Sequence, residues 1–214
     1  MTDARMILGR APVIPVLTLE TEEQAVPLAR ALVRGGIPVL EVTLRSPAGL
    51  PAIAAIREEV PEAIVGAGTV TNAPQFEAAL RAGSAFVITP GLTGNLLAAA
   101  DGCKTPLIPG VATASELMQA LDAGLDCLKF FPAESSGGSA ALKALGGPFP
   151  GVAFCPTGGI GLHNLDQYIK LDNVITVGGS WLTPSSLLDA GDWVGISRLA
   201  AEACARIDAL RVAS

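Results

Sequence analysis

Two residues draw attention by where they lie. Of four lysines, only Lys129 falls inside an apolar, strand-like run, CLKFFPA. Of twenty acidic residues, only Glu41 does so, in PVLEVTL. A charge on a strand buried on both faces needs a reason, because removing it from water is costly unless it is paired. An amine facing a carboxylate in an apolar cavity is equipment for imine chemistry. A free lysine titrates near 10.4, so at neutral pH roughly one molecule in a thousand is the nucleophilic amine. Apolar surroundings and a neighbouring cation raise the neutral fraction of a buried amine. Such an amine attacks a ketone, and a positioned carboxylate moves the protons. The pair can then break a carbon–carbon bond next to a carbonyl without a metal.

Other candidates cluster at the ends of similar runs. Of ten arginines only Arg45 follows directly on a strand, and GAGTV brings Thr69 to a strand end. Arg45 and Thr69 are suited to a substrate carboxylate, the guanidinium bidentate and the hydroxyl donating, with Thr157 a third candidate. PTGGI (Gly158, Gly159) and GGSW (Gly178, Gly179, Ser180) end the last two strands. Glycine-rich strand ends there cradle phosphate through backbone N–H groups. Pro90 shapes the rim and is within reach of substrate. His163 reads as a surface or capping residue, and the four cysteines as core fillers.

The elements that position these residues recur regularly. Strand-like runs start at Val13, Pro38, Ala63, Phe86, Pro106, Cys127, Ala153 and Val174. Starts about 20 to 26 residues apart leave room for one strand and one crossover helix. Helical patterns lie between them, and a closing helix spans 193–212. Gly35, Gly83 and Gly124 are expected left-handed stops; Thr71, Thr113 and Ser115 are expected N-caps. Eight such units predict a (β/α)8 TIM barrel, an α/β fold in one compact domain over 1–214 with a lead-in over 1–11. An open doubly wound sheet would want a glycine-rich turn after strand one, and ETEEQAV has none.

Alternation then assigns direction. In LEVTLR, Leu40, Val42 and Leu44 share the face toward the helices, so Glu41, Thr43 and Arg45 point inward. In CLKFFP, Leu128 and Phe130 face outward, so Cys127, Lys129 and Phe131 point inward. Strands two and six lie opposite each other and feed the same interior layer. Glu41 and Lys129 are therefore expected to meet across the barrel.

Composition narrows the chemistry further. One histidine and no CxxC leave too few ligands for a zinc or facial-triad centre, so neither a metal nor a cofactor is expected. A net charge of −6 argues against nucleic acid or an anionic membrane as partner. No apolar window reads as a membrane span, and the cysteine usage suits a cytoplasmic location. The 16% of charged residues is low against about 25% in a typical globular protein, a hint of oligomerisation.

These residues lie in longer blocks: VLEVTLRS, PEAIVGAGTV, PGL, PLIPG, SELM, KFFPAE, GGPF, FCPTGGI and GGSWL. In this order, from about Pro12 to Arg206, they resemble the bacterial 2-keto-3-deoxy-6-phosphogluconate and 4-hydroxy-2-oxoglutarate aldolases, which are class I enzymes. The resemblance implies a homotrimeric barrel that splits a phosphorylated keto acid into pyruvate and glyceraldehyde 3-phosphate. By similarity Lys129 is the Schiff-base lysine and Glu41 the general acid and base. Arg45, Thr69 and Thr157 match a pyruvate-carboxylate pocket lined by Pro90 and Phe131. Ser180 with Gly158, Gly159, Gly178 and Gly179 matches the phosphate region. The segment GLHNLDQY departs from the family's usual residues after PTGGI. Alternatives are the galactonate-pathway aldolase, a phosphate-binding isomerase or epimerase that uses Glu41 without an imine, and a non-catalytic barrel in which the pair is structural.

Overall fold

Short parallel strands form a ring at the centre of the chain, seen in a computed structural model that describes residues 4–212. They are β1 (Val13–Leu17), β2 (Val39–Thr43), β3 (Ile64–Gly68), β4 (Val87–Ile88), β5, β6 (Cys127–Phe130), β7 (Ala153–Pro156) and β8 (Val177–Gly179). Pro109 splits β5 into Leu107–Ile108 and Gly110–Val111. Proline has no N–H to give a neighbouring strand, but its carbonyl still accepts from the Lys129 amide at 2.9 Å.

The first half of β5 pairs with β4, and the second half with β6. Pairing runs from β1 through β2 and β3 to β4, and from β6 to β7. Bridges Phe154↔Val174 and Thr157↔Gly178 carry it on to β8, which pairs with β1. The circuit returns to its start, as the expected TIM barrel requires.

Helices α1 (Ala4–Leu8), α2 (Ala25–Arg34), α3 (Gly49–Glu59), α4 (Ala73–Arg81), α5 (Gly94–Ala100), α6 (Ala114–Asp122), α7 (Gly138–Gly146), α8 (Leu165–Ile169), α9 (Ser185–Asp189) and α10 (Trp193–Val212) accompany the ring. Leu, Ile, Val and Ala supply most of the core. Phe130 and Phe154 meet edge to face on neighbouring strands, 6.4 Å between ring centres. Cys127 and Cys155 are buried, Cys103 and Cys204 half-buried, and none of the four is in a disulfide. His163 is exposed. Among the described residues no helix is long and apolar enough to cross a membrane.

Local details differ from expectation in three places. Asn72 caps α4 by accepting from the Gln75 amide at 2.9 Å, one residue past the expected Thr71. Its carbonyl-bearing side chain reaches that amide, whereas the Thr71 hydroxyl bonds to the Gln75 side chain. Thr113 forms a full capping box with Glu116, which leaves Ser115 inside α6. Gly35 is not left-handed (φ −78°), and Gly36 takes that conformation at φ +92°.

Gly35 is glycine for a different reason. A Cβ there would stand 2.4 Å from the Ala200 Cβ and 2.6 Å from the Ser197 carbonyl oxygen, so α2 and α10 touch backbone to backbone. Gly35→Ala is expected to lower stability by about 1–3 kcal/mol through overpacking. Chemical denaturation checks this, with turnover in the folded protein unchanged.

Candidate active site

Glu41 and Lys129 come from opposite sides of the ring and meet inside it. Lys129 Nζ donates to Glu41 Oε1 at 3.1 Å. The residues are only 4% and 1% exposed respectively, so water scarcely screens the interaction. The second carboxylate oxygen, Glu41 Oε2, is buried and has no hydrogen-bond partner among the described residues. A buried acceptor left over is costly in a purely structural pair, and it is what a proton-moving group needs.

The space for that carboxylate comes from β3. A Cβ at Gly68 would stand 2.3 Å from Glu41 Oε1 and 2.5 Å from its Cγ. Gly68 was not singled out from the sequence. Its signal was GAG, a strand with a missing side chain at alternate positions, beside the only strand-borne acid.

Around the amine, the Phe131 ring centre lies 5.2 Å from Nζ, within reach of a cation–π attraction. Cys155 pairs in register with Lys129. Burial pushes its thiol up to about 12; the Lys129 charge opposes this and Glu41 adds to it. Cys155 therefore remains a protonated thiol near neutrality and does not compete as a nucleophile. Pro90 is half-buried, and its carbonyl would stand 2.3 Å from a Cβ on Gly110, the residue paired with Lys129 across the ladder.

Toward the strand ends, Arg45 Nε donates to Thr69 Oγ1 at 3.1 Å. Thr69 has φ +57°, the only positive φ on a non-glycine residue among the described residues. Such strain persists where surrounding structure holds it, often at functional sites. Thr18, just past β1, and Thr43 of β2 share a hydroxyl–hydroxyl hydrogen bond of 2.8 Å, another feature the sequence reading missed.

The PTGGI and GGSW segments also meet. A Cβ at Gly178 would stand 2.2 Å from Thr157 Oγ1, so Thr157 lies against β8. Gly158 and Gly159 have φ +105° and +77°, conformations that favour glycine. Gly179 is glycine for packing: the Trp181 ring fills the place of its side chain. Ser180 is exposed at the end of β8. A cavity of about 620 Å³ opens elsewhere, lined by Leu97, Cys103, Lys104, Leu125, Asp126 and Cys127 among others. It shares no lining residue with this constellation.

Asn164 extends the site beyond the expected residues. It is 5% exposed, accepts from the Gly161 amide at 2.9 Å and donates to the Gly159 carbonyl at 3.0 Å. The departing segment GLHNLDQY thus still supplies a side chain that holds the glycine loop.

Comparisons with known proteins place the chain in a family. The family model described as KDPG and KHG aldolase matches residues 4–199. The KHG/KDPG aldolase of Escherichia coli (strain K12) is 54% identical over 202 residues, 94% of this chain and 95% of that protein. The 2-dehydro-3-deoxy-phosphogluconate aldolase of Pseudoalteromonas atlantica is 53% identical over 199 residues, 93% of each chain. The crystal structure of KDPG aldolase from Legionella pneumophila, with pyruvate captured at low pH as a covalent carbinolamine intermediate, superposes with a TM-score of 0.93. It is 45% identical, covering 95% of this chain and 98% of that one.

Gly68→Ala is expected to push the Glu41 carboxylate off Lys129 and to lower kcat by about 10²-fold or more. Steady-state kinetics alongside circular dichroism check that the activity falls while the fold persists.

Proposed function

The chain belongs to the KDPG and KHG aldolase family and is a lyase, and on that premise we propose a residue-level mechanism for its reaction. The substrate is 2-dehydro-3-deoxy-6-phosphogluconate, cleaved to pyruvate and glyceraldehyde 3-phosphate, with 4-hydroxy-2-oxoglutarate as a second, unphosphorylated substrate. The observation that carries the reading is the buried Lys129–Glu41 contact with Glu41 Oε2 left over.

Proton transfer along that contact turns ammonium and carboxylate into amine and carboxylic acid, relieving two buried charges at once. Lys129 Nζ then adds to C2 of the substrate. Glu41 gives a proton to the departing C2 hydroxyl, water leaves, and an iminium remains. Glu41, again a carboxylate, takes the C4 hydroxyl proton. The C3–C4 bond breaks, its electron pair neutralises the iminium to an enamine, and C4 leaves as the aldehyde. Glu41 returns the proton to C3, and water hydrolyses the resulting iminium to pyruvate and free Lys129.

Arg45, Thr69 and Thr157 hold the carboxylate of the keto acid, and Pro90 and Phe131 flank the reacting carbons. Arg45 suits this role because its Thr69 partner fixes the guanidinium without neutralising it. Gly158, Gly159, Gly178, Gly179 and Ser180 line the phosphate cradle, which donates through free backbone N–H and the Ser180 hydroxyl.

The chain acts as one domain over residues 1–214, in the cytoplasm and as a homotrimer. Support for assembly comes from the low charge content and from exposed Met6, Met118, Leu121, Leu162 and Val194. The cytoplasmic reading rests on four cysteines outside any disulfide.

Borohydride treatment in the presence of pyruvate is expected to add a stable pyruvyl adduct, mapped to the peptide carrying Lys129. Lys129→Met should give neither adduct nor turnover; an unmodified wild-type chain would leave an imine-free isomerase or epimerase as the better account. Sedimentation at micromolar concentration should give three times the monomer mass, and a monomer would count against the trimer.

A further inference from the structure

Glu134 and Tyr168 lie behind the glycine loop, and the mechanism above uses neither. The turn that follows β6 is bonded to that loop: Ala133 N–H donates to the Thr157 carbonyl at 2.8 Å, and Glu134 N–H to the Gly158 carbonyl at 3.1 Å. Gly159 rests on the Glu134 side chain, since a Cβ there would stand 2.6 Å from Glu134 Cγ and 2.8 Å from its Cβ. The Glu134 carboxylate, one bond beyond Cγ, is thus close to the loop backbone. The bridge between Thr157 and Gly178 commits the Gly158 N–H to the Gly178 carbonyl, whereas the Gly159 N–H finds no acceptor among the described residues. A mobile carboxylate beside this unclaimed amide would take it itself or repel an incoming anion.

Tyr168, the only tyrosine in the chain, prevents that. It is wholly buried in α8, and its hydroxyl donates to Glu134 Oε1. Burial, reinforced by the Glu134 carboxylate, holds the phenol above its ordinary range, so the hydroxyl keeps the proton it donates. Gly138 adds to the enclosure, its missing Cβ 3.4 Å from the phenol oxygen and 3.5 Å from Glu134 Oε1.

We propose that Tyr168 and Glu134 are a positioning pair for phosphate recognition: the phenol tethers the carboxylate so that the Gly159 amide stays open to the substrate's phosphate. The pair touches no reacting atom. It tunes preference between phosphorylated and unphosphorylated keto acids, and it rests on the assignment of the glycine loop to phosphate made above.

The test is Tyr168→Phe, which releases the tether while keeping the ring, assayed with 2-dehydro-3-deoxy-6-phosphogluconate and with 4-hydroxy-2-oxoglutarate. KM for the phosphorylated substrate is expected to rise about tenfold, with kcat for both and KM for the unphosphorylated one moving less than about twofold. Adding Glu134→Gln to Tyr168→Phe removes the released charge and should bring that KM back toward wild type. Parallel losses on both substrates, an unchanged KM in Tyr168→Phe, or a double variant no better than the single would overturn the proposal. Ser180→Ala reads the phosphate site independently. If it raises KM for the phosphorylated substrate and Tyr168→Phe does not, only the tether falls. If Ser180→Ala and inorganic phosphate both leave that KM untouched, the phosphate assignment falls, and the proposal with it.

Discussion

Two opposite charges buried face to face, 3.1 Å apart inside a ring of apolar strands, set the terms for the rest of this structure. Neither could be buried alone without a large desolvation cost. Together they are tolerated, and proton transfer between them needs no change in the pair's net charge. Close packing around them has to leave room for the acid: Gly68 gives up its side chain where a Cβ would meet the Glu41 carboxylate. Cys155, next to Lys129 across the ladder, contributes a thiol that burial keeps protonated. The interior around the pair thus has one amine able to act as nucleophile and one carboxylate to serve it.

The strand ends follow a different logic from the interior. There the groups are hydroxyls, a guanidinium and backbone amides, all suited to holding anions by donation. Arg45 is oriented by Thr69 at a strained backbone position, and the glycine loop by Asn164 and the turn after β6. In the proposed mechanism chemistry is kept deep, where the dielectric is low, and recognition at the rim, where an anionic substrate would enter. That division would let an acidic protein bind an anionic substrate, because local dipoles at the rim outweigh a distant net charge.

Legibility differed from residue to residue for physical reasons. Glu41 and Lys129 were readable because a charge within an apolar alternating run is improbable without a partner, and period-two alternation fixes which way it points. The eight-fold repeat was readable because each strand and its crossover need about the same length of chain. The cap of α4 was displaced by one residue because Thr71 and Asn72 both carry capping oxygens, and only backbone geometry chooses between them. Gly35 does end α2, but the left-handed residue is Gly36, and Gly35 is glycine because of contact with α10, a segment far away in sequence. Gly68, Asn164 and the Thr18–Thr43 hydroxyl pair carried no local signature strong enough to single them out.

By itself the sequence determined the fold class and the meeting of one lysine with one acid, a pair suited to imine chemistry. Periodicity and desolvation are properties a strand carries wherever it ends up. Tertiary structure alone decided which glycines are missing side chains for whose benefit, and which donors remain unclaimed. It also decided that Tyr168 reaches Glu134 across thirty-odd residues of chain, between the ends of neighbouring βα units. Those are matters of close approach between distant segments. Such contacts are fixed only once the barrel has closed.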